Sequence, residues 1–163
     1  MISLHLTSVK DYMAHLLLSE TFDNFLFIEG QIVTFNTFTI DGFIQKAFFS
    51  EEESISEYSS WKNLRDYCLS LIKGKKTPLS FKFVFSLAPA NIERLIEQNH
   101  LDFQMDQVQG LYLNIRYDGS KLQCVTGTSL KTFTMDKSLE QAWDKMVQKF
   151  FTQKEIAYEI EIS

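Results

Sequence analysis

Between Thr77 and Leu87 the chain reads TPLSFKFVFSL, with Phe81, Phe83, Phe85 and Leu87 at every second position. Side chains alternate across a β-strand, so four large apolar groups point to one face and Lys82 to the other. Such a run of large apolar groups fills a sheet-facing core. The neighbouring segments supply the cover. Upstream, Trp61, Leu64, Cys68, Leu71 and Ile72 recur at helical spacing, with Ser59 or Ser60 at the start and Gly74 as a stop. Downstream, Pro89 suits the first turn of a helix whose buried face is Ile92, Leu95 and Ile96.

Further out the pattern continues. Leu111, Leu113, Ile115 and Tyr117 share one strand face, and Asp118-Gly119 then turns the chain into strand-like residues reaching about Met135. The last helix carries Leu139, Trp143, Met146, Val147 and Phe150, and IAYEIEI closes as a strand. Toward the N-terminus, Ile2, Leu4 and Leu6 alternate, and Thr7 or Ser8 caps a helix with Val9, Tyr12, Met13, Leu16 and Leu17 on its stripe. Phe25 to Phe35 is strand-like. An extra residue at Asn36-Thr37, a β-bulge or bend, is expected to bring Val33, Phe35, Phe38 and Ile40 to one side. Asp41-Gly42 is expected to be the hairpin turn, with positive φ. The acidic, serine-rich stretch from Ser50 to Ser60 reads as a mobile surface connection.

Strand, helix, Asp-Gly hairpin and Trp-bearing helix thus occur twice, about 80 residues apart. The predicted fold class is α+β, one domain over 1–163, with antiparallel sheet packed on helices. Repeat halves 1–76 and 77–163 are expected to pack as pseudo-twofold partners, with Trp61 and Trp143 in equivalent places.

Of the 163 residues 45% are hydrophobic, too apolar for general disorder, and the 15 phenylalanines suit a sheet-facing core. The net charge of −5 argues against a surface that is basic overall. No apolar run is long enough to span a membrane, and His5, Lys10, Asp11 and His15 interrupt what would be a signal peptide. Cys68 and Cys124 form no paired motif, so buried free thiols in a cytoplasmic protein are expected.

Chemistry is sparse. His5, His15 and His100 are scattered, and the spacing that a nucleophile, metal or phosphate loop needs is missing, so neither cofactor nor metal is expected. Two clusters merit naming as candidate sites. Lys62, Arg65, Lys73, Lys75, Lys76 and Lys82 form one anion or nucleic-acid patch if helix and strand run side by side, with Lys145, Lys149 and Lys154 extending it. Asn36, Thr37, Thr39 and Asp41 gather polar groups at the expected bend, and bulges often re-aim side chains at functional sites.

The stretches VTFNTFTIDG, GKKTPLSFKFVFSLAP and LNIRYDG, with the closing Ala142-Trp143 helix, resemble a bacterial family known as a domain of unknown function. The resemblance spans nearly the whole chain and implies a stand-alone cytoplasmic protein. It brings no activity, cofactor or catalytic residue. In element order alone the chain is also similar to sliding-clamp domains and the TATA-binding-protein grip. The expected function is a non-enzymatic binding or scaffold protein using a sheet face or the groove between halves, with a protein partner or a second copy as ligand. A small enzyme with its site at the bend is the alternative, and a nucleic-acid-binding module the second.

Overall fold

The computed structural model describes residues 1–51, 53, 56–72 and 76–161. Its described residues form an α+β fold of four α-helices and one seven-stranded antiparallel sheet. In chain order these are β1 (Ser3–Leu6), α1 (Val9–Leu17), β2 (Leu26–Val33), β3 (Thr37–Asp41) and α2 (Trp61–Leu71). There follow β4 (Ser80–Ser86), α3 (Pro89–Gln98), β5 (Val108–Tyr117), β6 (Leu122–Leu130), α4 (Ser138–Gln153) and β7 (Tyr158–Glu161). The strands lie in the order β3-β2-β4-β5-β6-β1-β7.

The alternation in β4 places its phenylalanines in the core. Phe81, Phe83 and Phe85 are buried, and Trp61 of α2 lies with its ring 5.1 Å from Phe85 and 5.6 Å from Phe83. Phe22 stacks on Phe85 at 5.8 Å, and Phe27 meets Phe83 edge-on at 6.0 Å. These separations are those at which aromatic rings gain beyond simple area burial. The helices are tied to this layer by polar anchors as well. Trp61 Nε1 donates to the Leu16 carbonyl at 2.8 Å, joining α2 to α1, and Trp143 Nε1 donates to the Tyr112 carbonyl at 3.1 Å, joining α4 to β5. Thr126 Oγ1 of β6 donates to Asp144 of α4 at 2.5 Å. Ser8 caps α1, its Oγ accepting from the Asp11 N–H.

All of these contacts use the sheet face that bears Leu4, Leu6, Leu113, Ile115, Leu122 and Cys124, which belong to one hydrophobic core. The helix layer therefore covers one side of the sheet.

Four expectations are corrected. The β2–β3 hairpin turns at Thr34–Asn36, with the Thr34 N–H donating to the Asn36 carbonyl, and not at Asp41-Gly42, which ends β3. Among the described glycines positive φ occurs at Gly119 (+100°), so Gly42 is required for another reason: a Cβ there would lie 1.8 Å from the Phe27 carbonyl oxygen. The irregularity expected at Asn36-Thr37 sits instead in β2, where the register with β4 slips between Phe27 and Glu29. Consequently Phe38 and Ile40 face the core side opposite Ile32 and Gly30, while Val33 pairs with Thr37 and Phe35 stands 85% exposed in the turn.

The fourth concerns the repeat. The order β-α-β-β-α does occur twice, as β1-α1-β2-β3-α2 and β4-α3-β5-β6-α4. The pairing is not equivalent, because β4 lies between β2 and β5 whereas β1 lies between β6 and β7. Trp61 opens α2 while Trp143 sits well inside α4. The expected pseudo-twofold packing is not formed.

Candidate functional site

The side of the sheet opposite the helices is built by the same alternation that fills the core. Register carries one row of side chains across all seven strands: Thr39, Gln31, Lys82, Arg116, Gln123, His5 and Glu159. At about 4.8 Å per strand that row is close to 29 Å wide. A second row runs beside it through Asp41, Glu29, Val84, Asn114, Val125, Ser3 and Glu161. Every member of the first row can donate or accept a hydrogen bond, and Gln31, Lys82 and Arg116 at its centre are exposed.

The charges on this face are sorted. Lys82 and Arg116 are direct cross-strand neighbours on β4 and β5, and neither has an ion-pair partner among the described residues. Like charges placed directly opposite each other cost stability. Glu29 and Asp41 flank them on one side, Glu159 and Glu161 on the other. A shallow depression of about 200 Å³, lined by Glu29, Gln31, Thr39, Lys82 and Val84, opens over β2 and β4.

Toward one end of the same face, burial and then the neighbouring Tyr58 and Glu57 push the Tyr112 phenol above its ordinary value. The far edge is held by Glu161, which accepts from Ser3 Oγ and Gln123 Nε2, both at 2.7 Å, and pairs with Lys121 Nζ at 2.5 Å. Lys121 first, then Ser3 and Gln123, hold its carboxyl down at about 2. Nearby, the Asp118 carboxylate accepts the N–H groups of Lys121 and Ser120 and the Ser120 hydroxyl, which lowers it from 3.8 to about 2.

These two carboxylates set an acid limb. A carboxyl depressed in the folded state adds stability that is complete above its unfolded value and disappears as pH falls through the folded one. Asp118→Ala is therefore expected to melt lower than the parent at neutral pH, the gap closing between pH 3.8 and about 2. Thermal midpoints measured across that window test it; a gap that stays constant down to pH 2 would remove the turn hydrogen bonds as its cause.

The sequence-predicted residues are distributed as follows. Thr37, Thr39 and Asp41 share the open face along edge strand β3, and Asn36 lies in the turn before it. Asp41 Oδ1 accepts from the Phe43 N–H at 2.9 Å. Of the cations, Lys82 is on the open face, but Lys62 and Arg65 lie on α2 in the helix layer on the other side of the sheet. Arg65 is also committed, to Asp23 at 2.5 Å and to the Ser19 carbonyl. Lys76 is exposed in the loop before β4, and Lys73 and Lys75 fall outside the described residues. The single cationic surface is thus not assembled. Instead Thr39 from one predicted cluster and Lys82 from the other meet at the depression.

Arg116, Gln123, His5 and Asn114 were not foreseen. Their signal was present as the polar alternates of LNIRYDG, of the strand-like residues after Asp118-Gly119 and of the first strand, but only register brings them into neighbouring rows. The other histidines do not join them: His15 contacts Thr21 Oγ1 and His100 follows α3. Cys68 and Cys124 are buried free thiols pushed up to about 12 by burial, which leaves no thiolate for nucleophilic work near neutrality. No group of three or more metal-ligating side chains occurs among the described residues, nor a helix long and apolar enough to cross a membrane.

A family model described as a family of unknown function, DUF5721, matches residues 15–159. The chain belongs to DUF5721. The matched span of DUF5721 holds β2 through β6 and α2 to α4 whole, with only the end of α1, so the members of both open-face rows on those five strands lie within it. No curated protein and no solved structure matches the chain.

Proposed function

We propose that this member of DUF5721 is a non-enzymatic binding protein whose recognition surface is the open sheet face and whose ligand is a segment of another protein. The observation that carries the reading is the seven-strand row of hydrogen-bonding side chains with an unpaired Lys82–Arg116 couple at its centre. An acidic side chain of a partner seated between those cations relieves their repulsion, and the surrounding Gln31, Asn114 and Gln123 satisfy its polar neighbours. The acidic flanks at Glu29, Asp41 and Glu159 oppose a phosphate backbone running across the strands, which favours a protein over nucleic acid. The two buried, unlinked cysteines are in keeping with action in the bacterial cytoplasm.

Lys82 and Arg116 are exposed, so reversing them leaves the core intact. The full chain and its Lys82→Glu, Arg116→Glu double variant are compared as baits in chemical cross-linking at low salt. The expected result is a defined protein cross-linked through the open face of the parent and lost from a variant that melts at the same temperature. Equal cross-linking by both chains would move the surface elsewhere. Turnover in a broad activity screen that the double variant abolishes would replace binding by catalysis.

A further inference from the structure

On the helix side of the molecule, α3 and α4 leave between them a groove of about 430 Å³, within the range of small-molecule sites. Helical spacing explains its lining. Asn91, Arg94, Leu95 and Gln98 recur at intervals of three and four on α3, and Ala142, Lys145, Met146, Lys149 and Gln153 do so on α4. Each helix therefore turns a mixed stripe toward the other: Leu95, Met146 and Phe150 form an apolar floor, and long polar side chains stand on the rims.

Charge is distributed unevenly around the two helices. Arg94, Lys145 and Lys149 all line the groove, and among the described residues no carboxylate does. Glu93 and Glu97 of α3 are exposed but are not part of the lining, and Asp144 of α4 is turned to Thr126. None of the three cations has an ion-pair partner among the described residues. Three unpaired cations facing one cleft repel one another, and the arrangement is relieved when an anion occupies it. The amides of Asn91, Gln98 and Gln153 add neutral donors and acceptors beside an apolar floor that suits a planar or apolar body.

We propose that the α3–α4 groove is a binding site for a small phosphorylated molecule, its phosphates held by Arg94, Lys145 and Lys149 and its body lying on Met146 and Phe150. The site is independent of the open sheet face, being on the opposite layer of the fold.

Three probes separate charge from body: ADP, inorganic pyrophosphate and adenosine, titrated calorimetrically against the full chain at low ionic strength. ADP is expected to bind, pyrophosphate to bind more weakly, and adenosine not to bind at millimolar concentration. Lys145 and Lys149 are exposed, so Lys145→Ala, Lys149→Ala folds normally, which its melting temperature checks. That variant is expected to lose about tenfold or more in ADP affinity, because charge-assisted hydrogen bonds are the strong ones. A Lys62→Ala, Lys131→Ala control, with the same loss of charge at exposed residues elsewhere, is expected to bind as the parent does. Three results overturn the proposal: no binding of ADP or pyrophosphate at millimolar concentration, equal losses in the control and groove variants, or binding of an acidic peptide where both phosphates fail.

Discussion

Trp61→Ala is expected to destabilise the protein by about 4 to 5 kcal/mol, at the upper end for truncating a buried aromatic. The indole is fully buried, lies within 5.1 to 5.6 Å of the rings of Phe27, Phe83 and Phe85, and is enclosed by residues of three elements. Its removal leaves a cavity against β4, the strand on which the core is built, and strips the Leu16 carbonyl of the N–H that joins α1 to α2. Trp61→Phe separates the two contributions. It keeps much of the ring contact and loses the hydrogen bond, for which about 1 to 3 kcal/mol is expected. Urea unfolding monitored by circular dichroism measures both. A loss below 2 kcal/mol for the alanine variant would mean that the helix layer closes over the gap, and that the aromatic cluster is less rigid than its geometry implies.

The importance of Trp61 was legible in the sequence, and so was nearly every face in this fold. The alternation of Phe81, Phe83 and Phe85 and the stripe of Tyr12, Leu16 and Leu17 are local patterns, and a local pattern specifies which side of its own element is buried. Pairing is a different kind of information. Nothing in Ile2 to Leu6 marks β1 as the neighbour of β6 and β7, since its partners lie more than a hundred residues away in the chain. Two units with the same element order therefore looked equivalent until their strands were placed, and the sheet then set them in unlike positions. The candidate surface depended on the same missing information. Lys82 could be recognised as outward-facing from its own strand, but Arg116 became its neighbour only through the β4–β5 register. Arg65 shows the converse: it looked like a free cation on a polar helix face, and the fold closes Asp23 and the Ser19 carbonyl over it.

Gly42 is where local pattern and tertiary structure disagree most sharply, and substitution distinguishes them. In a two-residue hairpin turn Gly42 would have positive φ, asparagine would replace it at small cost, and Asp41-Gly42 would behave like Asp118-Gly119. In the structure Gly42 is flanked on both sides by backbone: its N–H donates to the Ile28 carbonyl at 2.9 Å, and its own carbonyl accepts the Ser59 N–H at 3.0 Å. The register slip in β2 brings the Phe27 carbonyl oxygen to within 1.8 Å of where a Cβ would be, and backbone, unlike a flexible side chain, has nowhere to go. Gly42→Ala is accordingly expected to cost about 3 kcal/mol or more, at or beyond the usual range for overpacking, and Gly42→Asn at least as much. At Gly119 the φ of +100° is the main demand and the Leu79 carbonyl oxygen stands at 3.0 Å from a Cβ. Gly119→Asn is expected to cost only about 1 to 2 kcal/mol, the strain of positive φ for a residue that tolerates it better than most. Urea midpoints of the asparagine pair decide the matter. Equal, mild losses at both positions would restore Asp41-Gly42 as a turn. A large loss at Gly42 alone would show that this glycine is there to let two stretches of backbone meet beside the edge of the open face.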